Sequence, residues 1–232
     1  MQPYFFPYIG YFQLINSVDE FVIYDNIQYT KKGWINRNKI LVNGQSAYIT
    51  LPLKNDSDYL YVNQRFLSDS WNQDRKKILS KISTLYRKAP YFPDAFALIE
   101  EIFLFEDRNL FDFILNSIQL VNRFLRIQTP VVISSSINID HTLKSQQKII
   151  SICKARNADS YINPIGGIKL YKSNEFDLEA VSLFFLRSKD VLYRQFDNEF
   201  VPWLSIVDVL MFNSVDSTQR YLSSSFEILR GE

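Results

Sequence analysis

Pro130-Val-Val-Ile133, then Lys144 to Arg156, then Asp159-Ser-Tyr-Ile162 running into Asn163-Pro164-Ile165-Gly166-Gly167, is the stretch that decides the fold. The first and third segments are short apolar runs bounded by turn residues, the pattern of buried strands. The middle segment places Ile149, Ile152 and Cys153 on one helical face. Strand, helix, strand is a βαβ unit, and such a crossover sets its two strands parallel.

Working outward, Glu20-Phe-Val-Ile-Tyr24 is another buried strand with the polar tip Asp25-Asn26. Ser46 to Leu51 and Leu178 to Leu186 add further strands. Gln2 to Gly10 must be a loop, because each proline disfavours helix in the residue before it. A short helix over Tyr11 to Asn16 follows. Between the strands lies a helical insertion at approximately residues 72–128. Its faces are Ile78/Ile82/Leu85/Tyr86, Phe96/Ile99/Ile102/Phe103 and Leu110/Ile114/Ile118/Val121/Leu125, with Asn109 as an N-cap. Ser205 to Asn213 closes the pattern, with Ser205 and Asp208 at capping-box spacing. The expectation is an α/β fold, a single three-layer domain over 1–232 with a mainly parallel sheet. In such sheets ligands bind at the carboxyl ends of strands, so Asp25, Thr50, Ser134 and Asn163 should share one crevice.

Composition narrows the function. A net charge of +1 argues against broad binding of nucleic acid or an anionic membrane. One cysteine and one histidine exclude an internal disulfide and zinc sites built on paired Cys or several His. No apolar run reaches the ~18–20 residues of a membrane span, and no signal segment is visible, so a cytoplasmic location is expected. The 16% aromatic content suggests tyrosines to spare for a pocket.

The densest chemical cluster runs from Asp25 to Lys39. It holds one carboxylate, the cations Lys31, Lys32, Arg37 and Lys39, the amides Gln28, Asn36 and Asn38, and the ring of Trp34. Cations hold phosphates, amides read hydroxyls, and a ring stacks on a base or sugar, so the mixture suits a nucleotide or nucleotide-sugar. The plainer alternative is a solvated, twisted hairpin with an incidental basic face. Gly10, ahead of a helix start, and Gly166-Gly167 each suit close approach of backbone to a ligand, or a plain turn. Cys153 reads as a core thiol, His141 as no catalyst, and Arg75, Lys76, Lys77 and Lys81 as a solvated face. No P-loop, dinucleotide fingerprint or metal-binding run is present.

Gln2-Pro3-Tyr-Phe-Phe-Pro7-Tyr-Ile-Gly10-Tyr11-Phe12-Gln13-Leu14-Ile15 resembles the signature of the WbqC-like family, as does Asp19 to Asp25 with Gln28 and Trp34-Ile-Asn36-Arg37-Asn38. Tyr86 to Phe92, Tyr161 with Gly166-Gly167 and Tyr171, and Ser205 with Asp208 extend the likeness over nearly the whole chain. The resemblance implies a role in O-antigen or other bacterial surface-polysaccharide synthesis, with transfer of glycine to an amino sugar as the suggested reaction. It supplies no set of catalytic residues. It also implies a short apolar strand ahead of Gln2-Pro3, whereas the given chain opens on the motif. Phe6 to Tyr11 is further similar to the two-histidine loop of HIGH-type nucleotidylyltransferases and pantothenate synthetase, which activates a carboxylate with ATP. Both histidines are absent, and Tyr11 stands where the second would fall.

Together these readings imply a transferase acting on a nucleotide-linked amino sugar and a glycine donor. Asp25 is the expected base, Arg37 with Lys31 or Lys32 the phosphate clamp, and Trp34 the stacking ring. Asn36 and Asn38 read polar groups, and Gln2, Tyr11, Gln28, Asn163, Gly166 and Gly167 complete the expected site. ATP with Mg2+ is the candidate cofactor. A non-catalytic nucleotide-sugar-binding or assembly protein, and a HIGH-like adenylyl transferase, are the alternatives. Neither the sugar nor the oligomeric state is set by the sequence.

Overall fold

In the computed structural model, residues 1–197 and 199–231 are described. The proline-rich opening folds as an irregular loop and delivers helix α1, Ile9–Asn16. Seven of its eight residues are buried, which explains a sequence apolar all round rather than on one stripe. Strand β1, Phe21–Ile23, pairs in parallel with β4, Val131–Ile133. Strand β5, Ser160–Pro164, pairs in parallel with β6, Ser182–Ser188, and β7, Phe226–Arg230, lies antiparallel on β6. Helix α5, Ser145–Ala155, makes the expected crossover between β4 and β5.

Side chains alternate along β6. Leu183 and Phe185 join a small core with Ile149 and Cys153 of α5 and Phe176 of α6, Ser173–Asp177, while Leu186 enters the main core. Helix α1 packs against β5, β6 and α8, Val215–Ser224, and α8 against β7. Helices α2, Trp71–Tyr86, α3, Phe92–Phe103, and α4, Leu110–Phe124, form the insertion. Trp71, Phe103 and Phe113 from the three helices meet edge-to-face or stacked, with Phe5 against the last two. Asn109 caps α4 as its spacing predicts, accepting from the amides of Phe111 and Asp112.

Four expectations change. The parallel pairs β1/β4 and β5/β6 stand in separate ladders rather than one sheet. Arg37–Val42 is a strand, β2, paired antiparallel with β3, Gln45–Thr50, so Thr50 lies opposite Arg37 and away from the parallel strand ends. The front of the Leu178–Leu186 run is a helix end. Ala180 takes a left-handed φ of 56° and the Val181 amide bonds back to Phe176 O, closing α6 before β6 begins. At α7, Ile206–Phe212, Ser205 caps the Val207 amide, but Asp208 does not reach back to complete the box. Its carboxylate is fully buried and accepts from Tyr86, Tyr193 and Gln195 instead.

Candidate functional site

A cleft of about 760 Å3 opens where β1 and β5 end. One wall is the opening loop and the first turn of α1, with Gln2, Tyr4, Tyr8, Gly10 and Tyr11. The opposite wall is α5, with Ser145 and Lys148. Tyr161, Asn163, Gly166, Gly167 and Tyr171 come from β5 and the turn after it, and Trp34, Asn38 and Lys39 from the start of the β2–β3 hairpin. Trp203 closes the rim and packs on Tyr8 with ring centroids 5.8 Å apart.

The electrostatics have one sign. Among the described residues the wall carries Lys39 and Lys148 and no carboxylate. Burial lowers the Lys148 pKa while the charge of Asp25 opposes that shift, and its Nζ lies 5.4 Å from the centre of the Tyr24 ring. The first amides of α1 have no partners within the helix, and Tyr8, at the N-cap, offers no side-chain cap. Such a helix start favours an anion. Burial holds the phenols of Tyr11, Tyr24 and Tyr161 above their ordinary range, so they act as neutral hydrogen-bonding groups. Asn163 accepts from Tyr161 through Oδ1, which leaves its Nδ2 to a ligand.

Tight backbone approach shapes this cleft. A Cβ on Gly10 would stand 2.2 Å from the Tyr8 hydroxyl and 2.4 Å from Ser188 Oγ. One on Gly167 would stand 2.0 Å from Asn163 Nδ2, whereas Gly166 has nothing within 4 Å. The glycine pair is therefore two different positions, one sterically required and one open.

Of the expected site residues, Gln2, Tyr11, Trp34, Asn38, Asn163, Gly166 and Gly167 come together here. Trp34 is 40% exposed, its face available beside Tyr48. The others do not reach the cleft. Arg37 folds back onto the carbonyls of Gly33 and Lys32 and over the Tyr48 ring. Lys31 pairs with Asp58, and Gln28 donates to Asp58 O. Lys32 is exposed, and Asn36 is buried between Tyr29 and Leu51 O. This part of the cluster therefore includes the hairpin scaffolding that was the plainer alternative.

Asp25 is also placed differently from a base. It is 4% exposed, and its carboxylate accepts from Asn63 Nδ2, Ser134 Oγ and the Ser135 amide. Burial opposes its ionisation, but the hydrogen bonds from Ser135 and Ser134 outweigh that and hold the carboxyl below its ordinary range. A carboxylate so occupied ties the end of β1 to the end of β4, and neither Asp25 nor Ser134 lines the cleft they were expected to share with Asn163. His141 joins this tie by accepting from Asn26 at Nδ1 and donating to Ile137 O. Lys148, Tyr24 and Trp203 were missed, and Lys39 belonged to the Asp25 to Lys39 cluster without being singled out for the site. Lys148 is one polar residue on a helix otherwise read for its apolar face, and only the crossover turns it toward the strand ends.

The WbqC-like protein family matches residues 2–220, which takes in the opening loop, both parallel pairs and every wall of the cleft. The chain belongs to the WbqC-like family. It is 26% identical to an uncharacterized protein of Mycobacterium tuberculosis, Rv1507c, over 96% of this chain and 95% of that one. No solved structure matches it. Among the described residues of this WbqC-like protein no group of three His, Cys, Asp or Glu could hold a metal, and no helix is long and apolar enough to cross a membrane. Among the described wall residues the cleft thus offers the cations Lys39 and Lys148 and no carboxylate with which to hold a metal ion.

Proposed function

We propose that this protein is a surface-polysaccharide biosynthesis enzyme, a single three-layer WbqC-like domain over 1–232, that binds a nucleotide-linked amino sugar and transfers glycine to its amine. The observation that carries the reading is the cleft at the strand ends, with Lys39, Lys148 and a helix start around it and no carboxylate among the described wall residues. That set favours a diphosphate. Trp34 and Trp203 supply faces for a base or sugar ring, and Asn163 Nδ2 with the neutral tyrosines reads hydroxyls. Asp25 acts here by fixing the β1–β4 junction and by its charge beneath Lys148, not as the base. The proposed work of the cleft is to bring the sugar amine and the carbonyl of an activated glycyl donor together by proximity and orientation. The C–N bond forms, the bond from the carbonyl to the donor's activating group breaks and that group leaves with its electron pair, and the amine proton passes to solvent.

The test is calorimetric titration with UDP- and dTDP-linked amino sugars, ATP and glycine, with and without Mg2+. A nucleotide-sugar is expected to bind, and Lys148→Ala to weaken it by roughly 10- to 100-fold, the loss of one charge-assisted hydrogen bond. Lys76→Ala, on the solvated face of α2, is expected to leave binding unchanged. Mass analysis of the sugar after incubation with an activated glycine donor checks the transfer. Saturable binding without a glycylated product would replace the enzyme by a binding protein, and no binding at all would remove the site.

A further inference from the structure

The buried carboxylate of Asp208 lies outside the cleft wall, yet one of its donors leads to the cleft. Gln195, itself buried, donates from Nε2 to Asp208 Oδ2 at 2.6 Å. The same side-chain amide grips the backbone of Val201 from both sides. Its Nε2 donates to Val201 O at 3.1 Å, and its Oε1 accepts from the Val201 amide at 2.7 Å. The chain is pinned again just beyond. The Ser205 amide donates to Lys39 O at 2.8 Å and the Ile206 amide to Pro7 O at 2.9 Å, and both Lys39 and Pro7 line the cleft.

Trp203 lies between these anchors. Its φ of 60° is left-handed, an outlier for so bulky a residue. Its ring is nonetheless 59% exposed, at the rim of the cleft. The ring packs on Tyr8, and Tyr8 fills the space that a Cβ on Gly10 would need. A strained backbone that leaves a large aromatic face open adds little to the core. Such strain persists only where its surroundings over-determine it, and it clusters at ligand clamps.

We infer that Gln195 is a positioning residue for ligand recognition. Seated on Asp208, it holds Val201 so that Trp203 presents its ring at the cleft mouth, to stack on the base or sugar ring of a nucleotide-sugar. The inference rests on the nucleotide-sugar reading of the cleft. Gln195 does not line that cleft, so it acts on the ligand through Trp203.

The experiment is a double-mutant cycle of Gln195→Met, which keeps the side chain's length and removes its hydrogen bonds, with Trp203→Ala. It is read by calorimetric titration with a UDP-linked amino sugar. Trp203→Ala is expected to weaken binding roughly 10-fold, the loss of one stacked ring. Gln195→Met is expected to weaken it by a similar factor, and the double variant by no more than about 2-fold beyond either. A residue that only staples the fold would lower the urea midpoint and leave affinity alone, or would add its loss in full to that of Trp203→Ala. Either result overturns the inference. A ligand-free measurement separates this from failure of the nucleotide-sugar reading. In a Trp34→Phe background, with Trp71 buried, acrylamide quenching of fluorescence follows Trp203. Gln195→Met is expected to change that quenching whether or not the sugar binds, and unchanged quenching overturns the inference. If Gln195→Met does not fold, Trp203→Gly decides: glycine takes this φ without a steric cost, so it is expected to melt above Trp203→Ala, and the reverse order overturns the strained presentation of the ring.

Discussion

Replacing Tyr86 by Phe removes one oxygen from the buried polar network around Asp208. The Tyr86 side chain is fully buried, and its hydroxyl accepts from the Leu41 amide and donates to Asp208 Oδ1, both at 2.8 Å. The ring stays, so packing is almost unchanged and the loss is polar. An orphaned buried amide costs ~1–3 kcal/mol, and a hydrogen bond to a charged acceptor ~1.5–3 kcal/mol, which together give about 2.5–6 kcal/mol. At ~2–4 °C per kcal/mol for a chain of this size, Tm falls by roughly 5–24 °C. Tyr193→Phe is the control. Its hydroxyl donates to Asp208 Oδ2, where Gln195 remains as a donor, and it supports no backbone amide, so about 1–2 kcal/mol is expected. Urea unfolding at constant pH measures both through the midpoint at unchanged slope. If Tyr86→Phe costs less than about 1 kcal/mol, or no more than Tyr193→Phe, then Tyr86 is not the bridge between β2 and α7 and the ranking fails.

The two central aspartates give stability opposite slopes with pH. Burial raises Asp208 above the usual value near 3.8, so its contribution is full below that value and is lost as pH rises through the folded value. Asp25 is held below 3.8, so its contribution is present above that value and is lost as pH falls through the lower folded one. Urea midpoints from acid to neutral pH should therefore show the acid-side loss flattened in Asp25→Asn. At Gly166 and Gly167 the same substitution separates space from sequence: Gly166→Ala should change neither Tm nor ligand affinity. Gly167→Ala must move the Asn163 amide out of the cleft, so affinity for the nucleotide-sugar should fall with only a small loss of Tm, as read by calorimetry and melting.

Much of the architecture could be read from local pattern. The βαβ stretch from Pro130 to Gly167 announced its strands by short apolar runs and its helix by the spacing of Ile149, Ile152 and Cys153. Asn109 marked the start of α4, because a cap acts on amides two and three residues away. The opening loop and Asn163 were legible as site candidates for the same kind of reason: proline, glycine and strand ends restrict the backbone locally. The sequence alone did not show that Asn36 and Asn38, two residues apart, part company, or that Arg37 turns onto its own hairpin. Nor did it distinguish Gly166 from Gly167, or show Asp25 and Asp208 as acceptors satisfied by residues far along the chain. Those outcomes depend on which side chains tertiary packing brings within hydrogen-bond reach. That is a property of contacts between Asp25 and Ser134, or Tyr86 and Asp208, separated by a hundred residues or more, and no local period encodes it.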